Sequence, residues 1–385
     1  MRRVYLDHSA TTPVRPEVVE AMLPYLREAY GNPSSLHQWG QEAKKAVEQA
    51  REEVARLVSA RPEEIVFTSG GTEANNLAII GAAYANSAKG RHIITSGIEH
   101  HSVLDTMRYL EKQGFKVNYL PVTGEGLVRV EEVAAAISPE TILISIMHAN
   151  NEVGTVQPIA AIGRLARERG IIFHTDAVQT AGKIPVNVEE LGVDLLSLSA
   201  HKIYGPKGVG ALYVRKGRRL NSLLHGGGQE RNRRPGTENV PGIVGFGRAA
   251  ALAKQELAAE GKRLSALRDR LLEGVAERIP EVVITGHRER RLPNHASVCV
   301  KYVEGESLLL SLDLQGVAAS SGSACTSGSL EPSHVLLAMG LPPEIAQGSL
   351  RLTLGRDNQE TDVEYVLKIL PPIVERLRAM SPLRY

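Results

Sequence analysis

The chain has 385 residues, a formal net charge of +2, 43% hydrophobic and 23% charged side chains, which is the profile of a globular protein with room for one large domain and a smaller one. A charge this close to neutral gives no case for nucleic acid or an acidic membrane as the main partner, and no uninterrupted apolar run is long enough to span a bilayer. Two cysteines, Cys299 and Cys325, make no disulfide framework, and residues 1–13 lack the apolar stretch of a signal peptide, so a reducing, cytoplasmic setting is expected.

A short strand is predicted over 4–6, and Thr11-Thr12-Pro13 reads as the opening of a helix carrying Val18, Val19, Met22 and Leu23. Residues 31–35 (GNPSS) form a loop. Residues 41–60 are strongly amphipathic, with Ala43, Val47, Ala50, Val54 and Leu57 on one helical face. Strands and helices then alternate: strand 64–68, helix 72–85, strand 92–96, and helix 102–113 stopped at Gly114. Strand 116–122, helix 130–137, strand 141–147, helix 159–169 stopped at Gly170, and strand 171–174 follow. A further apolar run, 194–198, ends at Ser199-Ala200-His201-Lys202, and a Gly- and Pro-containing turn over 205–210 leads into strand 209–214. This rhythm predicts an α/β domain built on a parallel sheet covered on both faces.

From about Val240 the texture changes. A long helix over 240–279 is followed by strands 282–284, 296–302 and 350–354, with helices between and at the end. We read a second, smaller α+β domain, joined through the long helix near 250–261. The expected division is a large domain over 15–255 and a small one made of 1–14 with 256–385. Pro371-Pro372 is expected to kink or break the last helix.

The chemistry-bearing residues gather at predicted strand ends, where open α/β sheets place their ligands. Lys202 could form a Schiff base with an aldehyde cofactor. Thr68-Ser69-Gly70-Gly71-Thr72 turns a strand into a helix whose N-terminal N–H groups suit a phosphate. It is neither a P-loop nor a dinucleotide fingerprint. Asp176, at the end of an apolar strand, suits a cationic ring nitrogen, although an N-cap role explains a lone aspartate equally well. Lysine, acid and phosphate nest together are what pyridoxal 5′-phosphate requires. The tandem His100-His101 lacks the further ligands of a metal site, so His100 fits better over a flat cofactor or as a proton shuttle. Cys325 lies in the small, polar stretch 319–328, where mobility and exposure are expected, whereas Cys299 reads as inert core. Arg351, within an apolar strand, is either a carboxylate fork or half of a buried ion pair.

Taken together, these motifs resemble the cysteine desulfurases of the NifS/IscS type, within the class V aminotransferase fold of pyridoxal phosphate enzymes. The resemblance rests on YLDHSATTP at Tyr5, GNPSS at Gly31, TSGGTEANN at Thr68, EHHSVLD at Glu99 and NNEVGT at Asn150. It continues with HTDAVQ at His174, SAHKIYGPKG at Ser199, GGGQERNRRPGTEN at Gly226 and SSGSACTSG at Ser320. The fold it implies is a large, mostly parallel α/β/α domain with a smaller α+β domain.

The resemblance implies residue roles as well. Lys202 would hold pyridoxal phosphate covalently, His100 would stack on its ring and shuttle protons, and Asp176 would bind the ring nitrogen. Gln179 and Asn151 would meet the phenolic oxygen side. Gly71, Thr72, Ser199 and His201 would bind the phosphate, with Thr237 reaching it from the other subunit of a homodimer. Arg351, helped by Asn151, would clamp the carboxylate of L-cysteine. Lys202 would remove the α-proton, and the Cys325 thiolate would attack the substrate sulfur, giving a persulfide and alanine. The persulfide would pass to an acceptor such as an iron–sulfur scaffold, or to tRNA thiolation or another thio-cofactor. No resident metal is implied; Cys325 would be at most a transient iron–sulfur ligand.

The chain ends at Tyr385, short of the tail with which housekeeping members dock their scaffold, so the identity of the acceptor stays open. A selenocysteine lyase or another class V enzyme is the alternative, although a transaminase has no need of Cys325. A catalytically silent sulfur-relay partner is a second alternative, opposed by the presence of Lys202, Asp176, His100 and Cys325.

Overall fold

The computed structural model describes residues 2–322 and 332–381. Its strands, in chain order, are β1 (Val4–Tyr5), β2 (Ile65–Thr68), β3 (His92–Ser96), β4 (Lys116–Leu120), β5 (Thr141–Ser145) and β6 (Ile172–Asp176). They continue as β7 (Leu195–Ser199), β8 (Gly210–Val214), β9 (Val282–Ile284), β10 (His295–Val300), β11 (Val317–Ala318) and β12 (Ser349–Thr353).

Seven of these form one sheet in the order β2-β8-β7-β6-β5-β3-β4. β8 runs antiparallel to both neighbours, and the remaining adjacent pairs are parallel. The reversal follows from the connection. Residues 200–209 hold no crossover helix, and a parallel return needs one. The fit there is tight: a Cβ on Gly210 would lie 2.6 Å from the backbone of Gly70, so the turn that precedes the helix Gly71–Asn86 closes directly on β8.

Every residue of β5, β6 and β7 is buried. One face packs Phe173, Leu196 and Tyr213 against Val47, Val54 and Phe246. The opposite face packs Ile93, Leu143 and Leu212 against Leu77 and Ala78. Each such side chain contributes roughly 1.5–3 kcal/mol of hydrophobic stabilisation. The edge strand β4 departs from the expected two-sided cover. Lys116, Asn118 and Tyr119 are exposed there, which charges and blunts the sheet edge.

A second core surrounds the antiparallel sheet β12-β10-β9 and takes in Val4 and Leu6 from the N-terminus. The helix Val240–Arg278 serves both cores. Ile243, Phe246 and Ala250 pack with the large sheet, whereas Leu267, Leu271 and Val275 pack with the small one. Asn239 caps it, its side chain accepting from the N–H of Gly242.

Two local expectations are corrected. The first helix begins at Pro16, not at Pro13. Thr12 is occupied elsewhere: its N–H and Oγ1 both donate to the carbonyl of His201, at 3.0 and 2.9 Å, and its Oγ1 accepts from the N–H of Tyr204. The last helix, Glu360–Met380, runs unbroken through Pro371 and Pro372. A proline at 371 frees the carbonyl four residues earlier, and Arg278 Nη1 donates to that carbonyl, Leu367 O, at 3.1 Å.

Candidate active site

The parallel strands bring their C-terminal ends to one edge of the sheet, and a cavity of about 450 Å³ opens there. The segments after β2, β3, β5, β6 and β7 all reach it, and the N-terminal segment and β12 line its other side. Lys202, Asp176, His100, Gly71, Thr72, Asn151, Gln179, Ser199, His201 and Arg351 all line this single space.

Asp176 ends β6 and is buried. Its Oδ1 accepts from the N–H of Val178 at 2.9 Å, and its Oδ2 from Asn75 Nδ2 at 2.7 Å. No helix follows Asp176, so the lone-residue alternative of an N-cap is not met: its first oxygen closes a local turn, and its second is held from the helix Gly71–Asn86. Lys202 closes the short turn after β7, and its Nζ donates to the carbonyls of Ser9 and Ala10, at 2.5 and 2.7 Å. Gln179 Nε2 donates to the same Ser9 carbonyl at 2.9 Å, and its Oε1 accepts from Lys183 Nζ at 3.0 Å. Burial first, and then the charges of Lys202 and Arg351, push Lys183 down to about 7.

The N-terminus of the helix Gly71–Asn86 faces the cavity through Gly71 and Thr72. A Cβ on Gly71 would lie 2.8 Å from Val178 Cγ2, so any side chain here would push on the loop after β6. Opposite it, the Ser199 hydroxyl is buried without a hydrogen-bond partner. His201 Nδ1 lies 3.1 Å from Thr11 Oγ1, and burial with nearby lysines pushes it down to about 4. The nest thus offers backbone N–H groups, hydroxyls and a neutral imidazole to an anion.

Arg351 is buried in β12. Its Nη2 donates to Asp7 Oδ1 at 2.9 Å and its Nη1 to the backbone carbonyl of Asn151 at 3.0 Å, while its Nε has no partner. The ion-pair reading is what the contacts show, and Nε is a donor still open to a further acceptor. Asn151 supports it through its backbone.

His100 caps the helix His101–Lys112, its Nδ1 accepting from the N–H of Ser102 at 3.1 Å. Burial pushes its pKa below the ordinary histidine range, and the field of Lys202 adds to this against that of Asp176. Just before it, Glu99 is fully buried, accepts from Ser96 Oγ at 2.6 Å and the N–H of Met147 at 3.0 Å, and is pushed up to about 8 by burial. The His101 and His334 rings meet at 5.0 Å, tilted by 55°. No group of three or more potential metal-ligating side chains occurs among the described residues.

One expected residue is placed outside this cavity and one is not described. Thr237 is exposed and lines no part of it. Cys325 lies outside the described residues. Conversely, Asp7, Ser9, Asn75, Ser102 and Lys183 are tied into the site without having been assigned a role from sequence. Asp7 and Ser9 stand in YLDHSATTP, Asn75 in TEANN and Ser102 in EHHS, so the signal was the motifs' unassigned polar positions.

The residues fit pyridoxal phosphate on the structure's own terms. An unpartnered buried hydroxyl and a Cβ-free helix start await an anion, a buried carboxylate awaits a ring nitrogen, and a lysine shares their cavity.

Comparison with known proteins agrees with this chemistry. The family model Aminotransferase class-V matches residues 4–366. Cysteine desulfurase IscS of Dictyoglomus turgidum is 57% identical over 381 residues, covering 99% of this chain and 97% of that protein. Cysteine desulfurase IscS of Methanosarcina thermophila is 58% identical over 382 residues, covering 99% and 94%. A solved structure described as a NifS-like protein superposes with a TM-score of 0.92 at 44% identity, covering 98% of this chain and 100% of that one.

Proposed function

Because the chain belongs to the class V aminotransferase family, and within it to the cysteine desulfurases, we propose the following division of work among its residues. The enzyme is pyridoxal phosphate-dependent and takes sulfur from L-cysteine. When bound, the cofactor accepts the substrate amine and draws off the electron pair released at the α-carbon. Lys202 holds the cofactor's aldehyde carbon, Asp176 its ring nitrogen, and Gln179 with Asn151 its phenolic oxygen. Gly71, Thr72, Ser199 and His201 hold the phosphate.

Arg351 binds the substrate carboxylate through the guanidinium edge that Asp7 and the Asn151 carbonyl leave open. Lys202 Nζ, displaced by the substrate amine, takes the α-proton. The Cys325 thiolate attacks the substrate sulfur; the carbon–sulfur bond breaks, its electron pair stays with the three-carbon fragment, and that fragment leaves as alanine. The persulfide on Cys325 then passes to a protein acceptor, an iron–sulfur scaffold being our assignment. The exposed Thr237 reaches the phosphate of a second copy, so the working unit is a homodimer.

The domain division at 15–255, against 1–14 with 256–385, is supported by the two cores that the helix Val240–Arg278 links. No helix among the described residues is long and apolar enough to cross a membrane, and we assign the enzyme to the cytoplasm.

The observation that carries this reading is the opening of Lys202, Asp176 and Arg351 onto one cavity. The test is mass spectrometry of the Cys325 peptide after incubation with L-cysteine and no reductant, with alanine assayed in the same tube. A persulfide matched by alanine is expected. Alanine without persulfide removes Cys325 from the mechanism, and neither product overturns the substrate assignment.

A further inference from the structure

We propose that Asn75 and Ser102 are positioning residues that hold His100 in one neutral tautomer, with its only ring proton on Nε2. The inference rests on the reading above, in which His100 and Asp176 flank the cofactor, and it changes what His100 can do there.

The hydrogen bonds have a direction. Asn75 is buried in the helix Gly71–Asn86 and carries two amide hydrogens. One goes to Asp176 Oδ2 at 2.7 Å and the other to Ser102 Oγ at 2.9 Å. With that oxygen accepting from Asn75, the Ser102 hydroxyl hydrogen turns to His100 Nδ1, 2.8 Å away. The backbone N–H of Ser102 donates to the same nitrogen at 3.1 Å. An N–H cannot reverse its role, so Nδ1 is an acceptor however the hydroxyl rotates. Turning the Asn75 amide over would set its oxygen against the Asp176 carboxylate, so the carboxylate fixes the first link of the chain.

Protonating His100 would place a hydrogen on Nδ1 and break both bonds from Ser102. It would also put a cation at the positive end of the helix His101–Lys112. The charged and titratable neighbours are Asp176 and Asp105, which favour the cation, and Lys202 and His101, which oppose it; His334 stands behind His101. Burial opposes it most. The consequence is chemical. His100 is an uncharged hydrogen-bond donor toward negative charge that develops in the cavity, a role known for a neutral histidine at a helix start. It is not the base that takes the α-proton, and that task stays with Lys202.

The test is long-range 1H–15N correlation on the holoenzyme labelled with 15N-histidine, with His100 assigned by a His100→Gln variant. The expected signature is an unprotonated Nδ1 and a protonated Nε2 at neutral pH. In Ser102→Ala the backbone N–H of residue 102 still makes Nδ1 an acceptor, so the tautomer holds, but loss of the hydroxyl donor raises the titration midpoint of His100 by about a unit. That corresponds to roughly a tenfold change in its proton affinity. Asn75→Ala raises the midpoint by less, and Ser102→Thr restores the original value. Turnover of L-cysteine by Ser102→Ala falls in kcat with KM unchanged. A proton on Nδ1, an imidazolium at pH 7, or a Ser102→Ala titration midpoint equal to that of wild type overturns the proposal. Alanine and persulfide assays on the same samples judge the desulfurase reading separately, because the tautomer is read without turnover.

Discussion

Arg351 Nη2 and Asp7 Oδ1 meet at 2.9 Å across 344 residues of sequence. This contact joins β12 to the N-terminal segment, whose Ser9 and Ala10 carbonyls in turn receive Lys202. One carboxylate therefore ties the Arg351 guanidinium to the segment that receives Lys202.

The first prediction concerns that clamp. In Arg351→Lys a single ammonium has to serve Asp7, the Asn151 carbonyl and a carboxylate, which a planar fork does at fixed geometry. KM for L-cysteine should rise at least about tenfold, the equivalent of ~1.4 kcal/mol of binding. The visible absorbance of the bound cofactor should persist, because no phosphate or ring contact changes. Steady-state kinetics with absorbance spectra checks this; a KM within about twofold of wild type would remove Arg351 from substrate binding.

Glu99 supplies a prediction about stability. Its carboxyl is pushed up from 4.5 to about 8, chiefly by burial. Between those values the native state keeps a proton that the unfolded chain releases. The contribution is therefore fully present below about pH 4.5 and is lost as pH rises through about 8, at up to ~1.4 kcal/mol per unit. The difference in unfolding free energy between wild type and Glu99→Gln should change by a few kcal/mol across this window, on the order expected for one buried carboxyl. Wild type should lose ground relative to the variant as pH rises. Urea unfolding of both proteins at pH 5, 6.5 and 8 measures it, and parallel curves would show that Glu99 titrates normally.

The alternating apolar runs made the large sheet legible, because strands buried on both faces leave unbroken hydrophobic stretches, as in β5 to β7. The site residues on strand ends were legible for the same reason: a polar residue directly after such a run has to have a partner. What could not be read were contacts that one distant residue makes for another. Pro371 broke the local rule for a helix, and Arg278, far away in sequence, supplies the missing donor to Leu367. Thr12 looked like a helix start because its tether to His201 and Tyr204 leaves no local trace. Asn75 and Ser102 were visible as polar residues within motifs, but their shared hydrogen bond depends on two helices meeting across the cavity.

Gly71 gives the last prediction. It occupies the first turn of a helix, where alanine is favoured over glycine by about 1 kcal/mol. The same alanine would bring its Cβ to 2.8 Å from Val178 Cγ2, closer than such atoms tolerate. Val178 has to yield, and its N–H is the donor that holds Asp176 Oδ1. The two effects oppose each other in folding but act together on the site, where both the anion nest and the acid lose their geometry. Gly71→Ala should therefore melt within a few degrees of wild type as apoprotein, while its affinity for pyridoxal phosphate falls about 10- to 100-fold, or ~1.4–2.7 kcal/mol. Thermal melts of the two apoproteins and equilibrium titration with the cofactor separate the terms. An unchanged affinity would mean that the phosphate sits elsewhere, and a large drop in melting temperature would mean that Val178 cannot move without disturbing the sheet beneath it.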